Sequence, residues 1–258
     1  MTNDAVTAPL AGRAMLVTGA SSGIGRAIAL AAARAGADVA VTYRANKDGA
    51  RKVEDEIRSL GRRAATLRLD LADDESLRAL GPSAREALGR LDVWVNNAGA
   101  DILTGAGASL TPSEKIDQVL RVDLRGTMLA SWQAAEILGA QESGGVIINM
   151  SWDHVTSGMS GQNPQIYGAA KGGILTFSKC LARSVAPRVR VNILAPGWIE
   201  TSFGAGANEK LRRAVAESTP LKRWGTPDDV AGAAVFLASP AAAFMTGQTI
   251  MIGGGIVM

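Results

Sequence analysis

Tyr167 and Lys171 stand four residues apart in Tyr167-Gly-Ala-Ala-Lys171, within a stretch whose pattern is helical. Positions i and i+4 share one helix face, with Cβ atoms about 5–6 Å apart. An ammonium beside a phenol favours the phenolate and lowers a pKa that is otherwise about 10. A tyrosine tuned in this way can exchange a proton with a substrate oxygen near neutral pH. On a solvated helix face the same pair does nothing. The spacing therefore matters only if the rest of the chain brings a reactant to it.

The first half of the chain is built to do so. Ala14-Met-Leu-Val17 is a short apolar strand that runs into Thr18-Gly-Ala-Ser-Ser-Gly-Ile-Gly25, and residues 26–35 form an alanine-rich helix ended by Gly36. Strand, glycine turn and helix in that order make a phosphate site. Gly19 permits the tight turn, and Gly23 and Gly25 allow close backbone approach. The helix N-terminus offers free N–H groups to a pyrophosphate, with Ser21, Ser22 and Ile24 in the same loop. Residues 38–43 are the second strand. An acid at its end would hydrogen-bond the adenosine ribose and disfavour a 2′-phosphate. Here the strand ends in Tyr43-Arg44, with Asn46 and Lys47 close behind, which favours NADP(H) over NAD(H).

A charged amphipathic helix (48–60), a third strand (63–68) leading to Asp70-Leu71, a helix (73–88) and an apolar fourth strand (91–95) follow, and the last runs into Asn96-Asn-Ala-Gly99. Strands alternating with helices of this length imply βαβ units and a parallel sheet, an α/β fold. Right-handed crossovers then bring the ends of strands one and four together at the switch point, where ligands bind. Residues 113–138 read as one long helix, 145–150 as strand five, 165–186 as the helix carrying Tyr167 and Lys171, and 189–194 as strand six. Gly168, Gly172 and Gly173 cost about 1 kcal/mol each in a helix interior, so something must pack closely there, such as a cofactor or a partner helix. Thr226-Pro227 opens a final helix over 228–238, before strand seven at 248–252.

Thr18-Gly-x-x-x-Gly-Ile-Gly25, Asn96-Asn-Ala-Gly99, Tyr167-x-x-x-Lys171 and Pro196-Gly-Trp-Ile-Glu-Thr201 occur in that order. With these motifs the chain, from about residue 11 to its C-terminus, resembles the short-chain dehydrogenases/reductases, a family that includes 3-oxoacyl-carrier-protein reductases and glucose dehydrogenases. The resemblance implies a single Rossmann-type, doubly wound parallel sheet of seven strands with three helices on each face. It implies hydride transfer between NADP(H) and a carbonyl/alcohol pair, with Tyr167 as acid/base and Lys171 holding the cofactor ribose. It also sets Asp70 and Leu71 by the adenine and Asn97, Ala98 and Gly99 by the ribose. Pro196-Gly197 turns the chain so that Ile199 and Thr201 reach the nicotinamide amide and phosphates. A homotetramer or homodimer through the two long helices is implied as well.

Three positions depart from the family pattern. Asp123 stands where the family has an asparagine whose backbone carbonyl holds a relay water. An aspartate serves nearly as well if only that carbonyl matters; otherwise a carboxylate near Lys171 raises the lysine's pKa and alters the relay. After strand five the family has two serines, the second bonding the substrate oxygen. Here Ser151-Trp152-Asp153-His154 follows, Trp152 occupies the serine's place counted from the strand, and the loop is two residues longer. Asp153 matches an aspartate used by pteridine reductases, Ser151 keeps a hydroxyl that a one-residue shift turns away, and His154 can donate to a carbonyl. The remaining alternative is that no side chain fills the role. After strand seven, Gly253 replaces the family's aspartate.

Composition bounds the rest. The 258 residues contain no Pro/Ser-rich linker or charge block, so one domain is expected, with residues 202–225 as a substrate lid lined by Phe203, Leu211, Val215, Leu221 and Trp224. The lid's Arg212, Arg213, Lys222 and Arg223 are expected to face solvent. At 47% hydrophobic and 20% charged the chain can bury a sizeable core. A net charge of +3 without a basic cluster gives nucleic-acid binding no support. One cysteine, Cys180, excludes an internal disulfide and reads as core within an apolar helical run. One histidine and no ligand cluster argue against a metal. No apolar run long enough for a signal peptide or a membrane span is present, so a cytoplasmic protein acting on a small molecule is the simplest expectation. The alternative is a cofactor-binding sensor or scaffold with degraded chemistry, motivated by Trp152 and Asp123.

Overall fold

Strands β1 (Ala14–Val17) and β4 (Val93–Asn96) are buried at every position, which requires cover on both faces of their sheet. The computed structural model, which describes residues 8–201 and 207–258, shows that cover. Strands β2 (Asp38–Tyr43), β3 (Ala64–Arg68), β5 (Gly145–Met150), β6 (Val189–Pro196) and β7 (Thr249–Ile252) complete one sheet in the order β3-β2-β1-β4-β5-β6-β7. Every pairing is parallel. The winding reverses between β1 and β4, so the crevice beyond their C-terminal ends is where a ligand is received.

The helices of eight or more residues, in chain order, are α1 (Gly23–Arg34), α2 (Lys47–Ser59), α3 (Asp74–Leu88), α4 (Pro112–Val119), α5 (Gly126–Gly139), α6 (Gln162–Val185), α7 (Glu209–Ser218) and α8 (Pro227–Ala238). Strand side chains alternate between two cores because successive Cβ atoms point to opposite faces. Met15, Val17, Val93, Val95, Val146 and Ile148 meet α1, α2 and α8 on one face. Leu16, Trp94 and Ile147 meet α3, α5 and α6 on the other. Each fully buried Val, Leu or Ile in these layers contributes about 1.5–3 kcal/mol. Side chains fix the helix starts. Asp73 accepts from the amides of Glu75 and Ser76, while Thr111–Glu114 and Thr226–Asp229 form capping boxes ahead of α4 and α8.

The stretch expected as one helix over 113–138 is instead α4, a π turn over Leu120–Arg125, and α5. The wider turn buries the consecutive residues Val122 and Asp123. Just after it, Gly126 lies so close to Leu71 that a Cβ there would sit 2.9 Å from the leucine Cβ. The α6 glycines face protein. Gly168 abuts Trp152, Gly172 abuts Val155, and a Cβ on Gly173 would come within 2.8 Å of Leu124 Cδ1. Cys180, read from sequence as core, is exposed. The buried stripe of α6 is Ile166, Ala170, Ile174, Ser178, Leu181 and Ala182, and Cys180 lies off it. Among the described residues, no helix is long and apolar enough to cross a membrane, and no cluster of His, Cys, Asp or Glu is placed to hold a metal ion.

Candidate active site

The glycine turn after β1 is stapled to the end of β4. Thr18 Oγ1 accepts from the amides of Asn97 at 2.9 Å and Ala98 at 3.0 Å, and Asn97 Nδ2 donates to Thr18 O at 2.9 Å and Gly19 O at 3.2 Å. Gly19 is left-handed, with φ +65°, and a Cβ on it would lie 2.8 Å from Ala98 Cα. One on Gly25 would lie 2.3 Å from Gly19 O. Both glycines thus make room for the neighbouring turn. Ser22 stands at the N-cap of α1 without a side-chain cap bond, and the first turn carries no acid. Its amides open on a cavity of about 520 Å³ that Ser22, Ile24 and Gly25 help to line. An uncapped helix N-terminus behind a glycine cradle fits the pyrophosphate of a dinucleotide.

Tyr167, Lys171 and Asp123 line the same cavity. Lys171 Nζ lies 5.2 Å from the centre of the Tyr167 ring. It also lies 3.1 Å from Asp123 Oδ2, with both side chains buried. The two make a buried ion pair. Asp123 Oδ1 accepts from the Ala100 amide at 2.7 Å, which fixes the carboxylate from the β4 side. Met150 O accepts from Lys171 Nζ at 3.4 Å. Burial pushes the ammonium down, but Tyr167 and Asp123 outweigh it and hold the lysine above its ordinary value. For the phenol, burial pushes the pKa up, Lys171 pulls it down, and the Asp123 carboxylate adds to the rise. The net shift is upward, opposite to the direction expected from the Tyr–Lys pair alone. Burial and the third charge decide it.

At the end of β5, Ser151 is buried and its Oγ donates to Lys171 O at 2.9 Å, so the hydroxyl ties the strand to α6. Trp152 lines the cavity and meets the Tyr167 ring edge-on at 5.5 Å. Asp153 turns the other way. It is fully buried outside the cavity wall, with its Oδ1 2.6 Å from His154 Nδ1. Its Oδ2 fills the space beside Gly197 and Gly253, where a Cβ would come within 2.3 Å and 2.2 Å.

A family profile described as enoyl-(acyl carrier protein) reductase matches residues 19–257. The chain belongs to the short-chain dehydrogenase/reductase family. It is 36% identical to an L-rhamnose 1-dehydrogenase (NAD(P)(+)) from a Sphingomonas species, over 96% of this chain and 97% of that one. A short-chain dehydrogenase from Burkholderia cenocepacia, in complex with NADP, superposes with a TM-score of 0.86 at 35% identity, covering 96% of this chain and 99% of the other. A 7α-hydroxysteroid dehydrogenase bound to NADH and 7-oxoglycochenodeoxycholic acid superposes with a TM-score of 0.88 at 30% identity, covering 100% and 98%. As a short-chain dehydrogenase/reductase, the protein is an oxidoreductase that interconverts carbonyl and alcohol groups with a nicotinamide nucleotide.

Of the residues singled out from sequence, Ser22, Ile24, Gly25, Asn97, Gly99, Asp123, Ser151, Tyr167, Lys171, Pro196, Gly197, Ile199 and Thr201 converge on this cavity. Ser21 and Gly23 lie in the same turn, and Thr201 Cγ2 comes within 3.6 Å of a Cβ position on Gly23. Arg44 is exposed at the C-terminal end of β2. Asp70, beyond β3, accepts from the Ala72 amide, while Leu71 is committed to the core. The described part of the expected lid, residues 207–225, stays off the cavity wall, and Phe203 lies outside the described residues. Arg212 pairs with Glu200 and Arg223 with Asp229. Sequence reasoning missed the outer wall, formed by Asp101, Ile102, Leu103, Met150, Met159, Asn163, Pro164 and Trp198. Asp101, Ile102, Leu103 and Met159 lie in loops with no motif, Met150 ends β5, Asn163 and Pro164 stand in the first turn of α6, and Trp198 lies within the Pro196–Thr201 motif but was given no role. The aromatic and methionine content of the segment after β5 was the one available signal.

Proposed function

We propose that the protein is an NADP(H)-dependent carbonyl reductase/alcohol dehydrogenase in which Tyr167 is the proton donor and acceptor. The observation that carries this reading is the convergence of Tyr167, Lys171 and the uncapped start of α1 on one cavity. The glycine turn and α1 hold the pyrophosphate, with Asn97 and Gly99 beside them. Lys171 binds the ribose, and Ile199 and Thr201 border the nicotinamide end. Bound there, the dinucleotide supplies or accepts the hydride. Arg44, exposed beyond β2 where an acid would exclude a 2′-phosphate, supports the preference for NADP(H).

The chain's own contribution is a proton held at the right oxygen. An upward-shifted phenol is protonated at neutral pH, so Tyr167 donates to the oxygen of a carbonyl as negative charge develops on it. The Lys171 ammonium stabilises the phenolate left behind. Asp123 keeps that ammonium charged and in place.

The test measures NADPH and NADH binding, then oxidation of the bound nucleotide by a panel of ketones and aldehydes. Turnover with NADPH preferred supports the reading. Tight NADPH binding with no turnover on any carbonyl contradicts it and would point to a sensor.

A further inference from the structure

We propose that Trp152 selects the substrate, an uncharged carbonyl or alcohol whose ring or flat apolar face lies along the indole beside Tyr167. This rests on the reading above and adds the substrate class. The indole is fixed on three sides. His154 stacks on it at 5.0 Å with 23° between planes, Tyr167 meets it edge-on at 5.5 Å, and its Cζ3 edge lies 3.6 Å from the Cβ position of Gly168. What remains of the ring borders the cavity. A rigid aromatic held this way presents a flat contact without losing rotamer freedom on binding.

The wall beyond it is mostly apolar, with Ile102, Leu103, Met150, Met159, Pro164 and Trp198 against the polar Asp101 and Asn163. Its charges are engaged. Lys171, the one basic residue among the described residues of the wall, is paired with Asp123. Asp101 accepts from the Leu103 and Thr104 amides and from the Thr104 hydroxyl. An anionic substrate thus finds two carboxylates and no spare cation. A polyhydroxylated one finds few groups to replace the water it would lose. A flat apolar ketone loses little and gains the indole contact.

The NADPH-loaded enzyme is assayed with 2-tetralone, a flat bicyclic ketone, and with dihydroxyacetone. Wild type should favour 2-tetralone in kcat/KM by at least about tenfold. Trp152→Ala should lower that ratio by about 10- to 200-fold, mainly through KM, while Trp152→Phe keeps most of it. The affinity of the NADPH complex for 2-tetralol, which reads binding without turnover, should fall in parallel in Trp152→Ala. Both variants must still unfold cooperatively, and if the alanine does not, Trp152→His takes its place. An unchanged ratio with unchanged 2-tetralol affinity overturns the inference alone, as does a wild type that prefers dihydroxyacetone. A wild type that binds NADPH yet reduces no carbonyl overturns the reading of Tyr167 and this inference together.

Discussion

The Asp123 carboxylate lies 3.1 Å from the Lys171 ammonium, inside the wall of the cavity that also holds Tyr167. The motif lysine therefore does not face the phenol as an isolated positive charge. Part of its field is cancelled by the carboxylate, and the phenol is pushed up by burial and by that same carboxylate.

Removing the negative charge should reverse part of the shift. Alcohol oxidation needs the phenolate and rises with pH through the apparent pKa of the Tyr167–Lys171–Asp123 group. Asp123→Asn removes a contribution that raises the phenol's pKa, so the rising limb of kcat/KM for oxidation should move to lower pH. The amide oxygen can still accept from Ala100. A profile that stays put, or moves up, contradicts this account of the site.

Cofactor preference should reside in Arg44. Replacing it with Glu should weaken NADPH binding by about 10- to 100-fold, the loss of charge-assisted bonds to a 2′-phosphate, and leave NADH affinity nearly unchanged. Direct titration of both nucleotides measures it. Equal losses for the two would mean that Arg44 does not read the phosphate.

Two glycine-to-alanine changes should act in opposite directions. Gly25→Ala drives a methyl into Gly19 O and Asn97 Nδ2, and should destabilise by about 1–3 kcal/mol and weaken NADPH binding. Gly232, within α8, has nothing within 4 Å of its Cβ position, so Gly232→Ala should stabilise by about 0.4–1 kcal/mol. Urea unfolding of the pair gives both signs.

The buried Asp153 explains why Gly253 carries no side chain. A methyl at 253 would overlap the Oδ2 of the fully buried Asp153, so Gly253→Ala should cost about 1–3 kcal/mol. In an Asp153→Ala background it should cost less, with a coupling of about 0.5–3 kcal/mol in the double-mutant cycle. Additive effects would show that the two positions do not share that space.

What was legible in the sequence was local. The β1 strand, its glycine turn and α1 are contiguous, and alternating apolar strands with helical spacers dictated the sheet and its switch point. Tyr167 and Lys171 share a helix turn. The family resemblance put the Asp123 carboxylate near Lys171, where the structure has it. What escaped depends on residues far apart in the chain or on local geometry without a pattern: nothing in Leu120–Arg125 breaks the helical periodicity, yet a π turn stands there. Asp153 was a candidate for the substrate oxygen, but its position outside the cavity wall follows from the space left by Gly197 and Gly253. The direction of the Tyr167 shift needed the extent of burial, which the spacing of two residues does not carry.

The central claim is that the Tyr167 hydroxyl carries the proton. Single-turnover reduction of a ketone by the NADPH complex of Tyr167→Phe, compared with wild type at equal nucleotide occupancy, tests it most directly. The account predicts a rate lower by about 10²–10⁴ with NADPH binding retained. A variant that binds NADPH and reduces the ketone at close to the wild-type rate would contradict it.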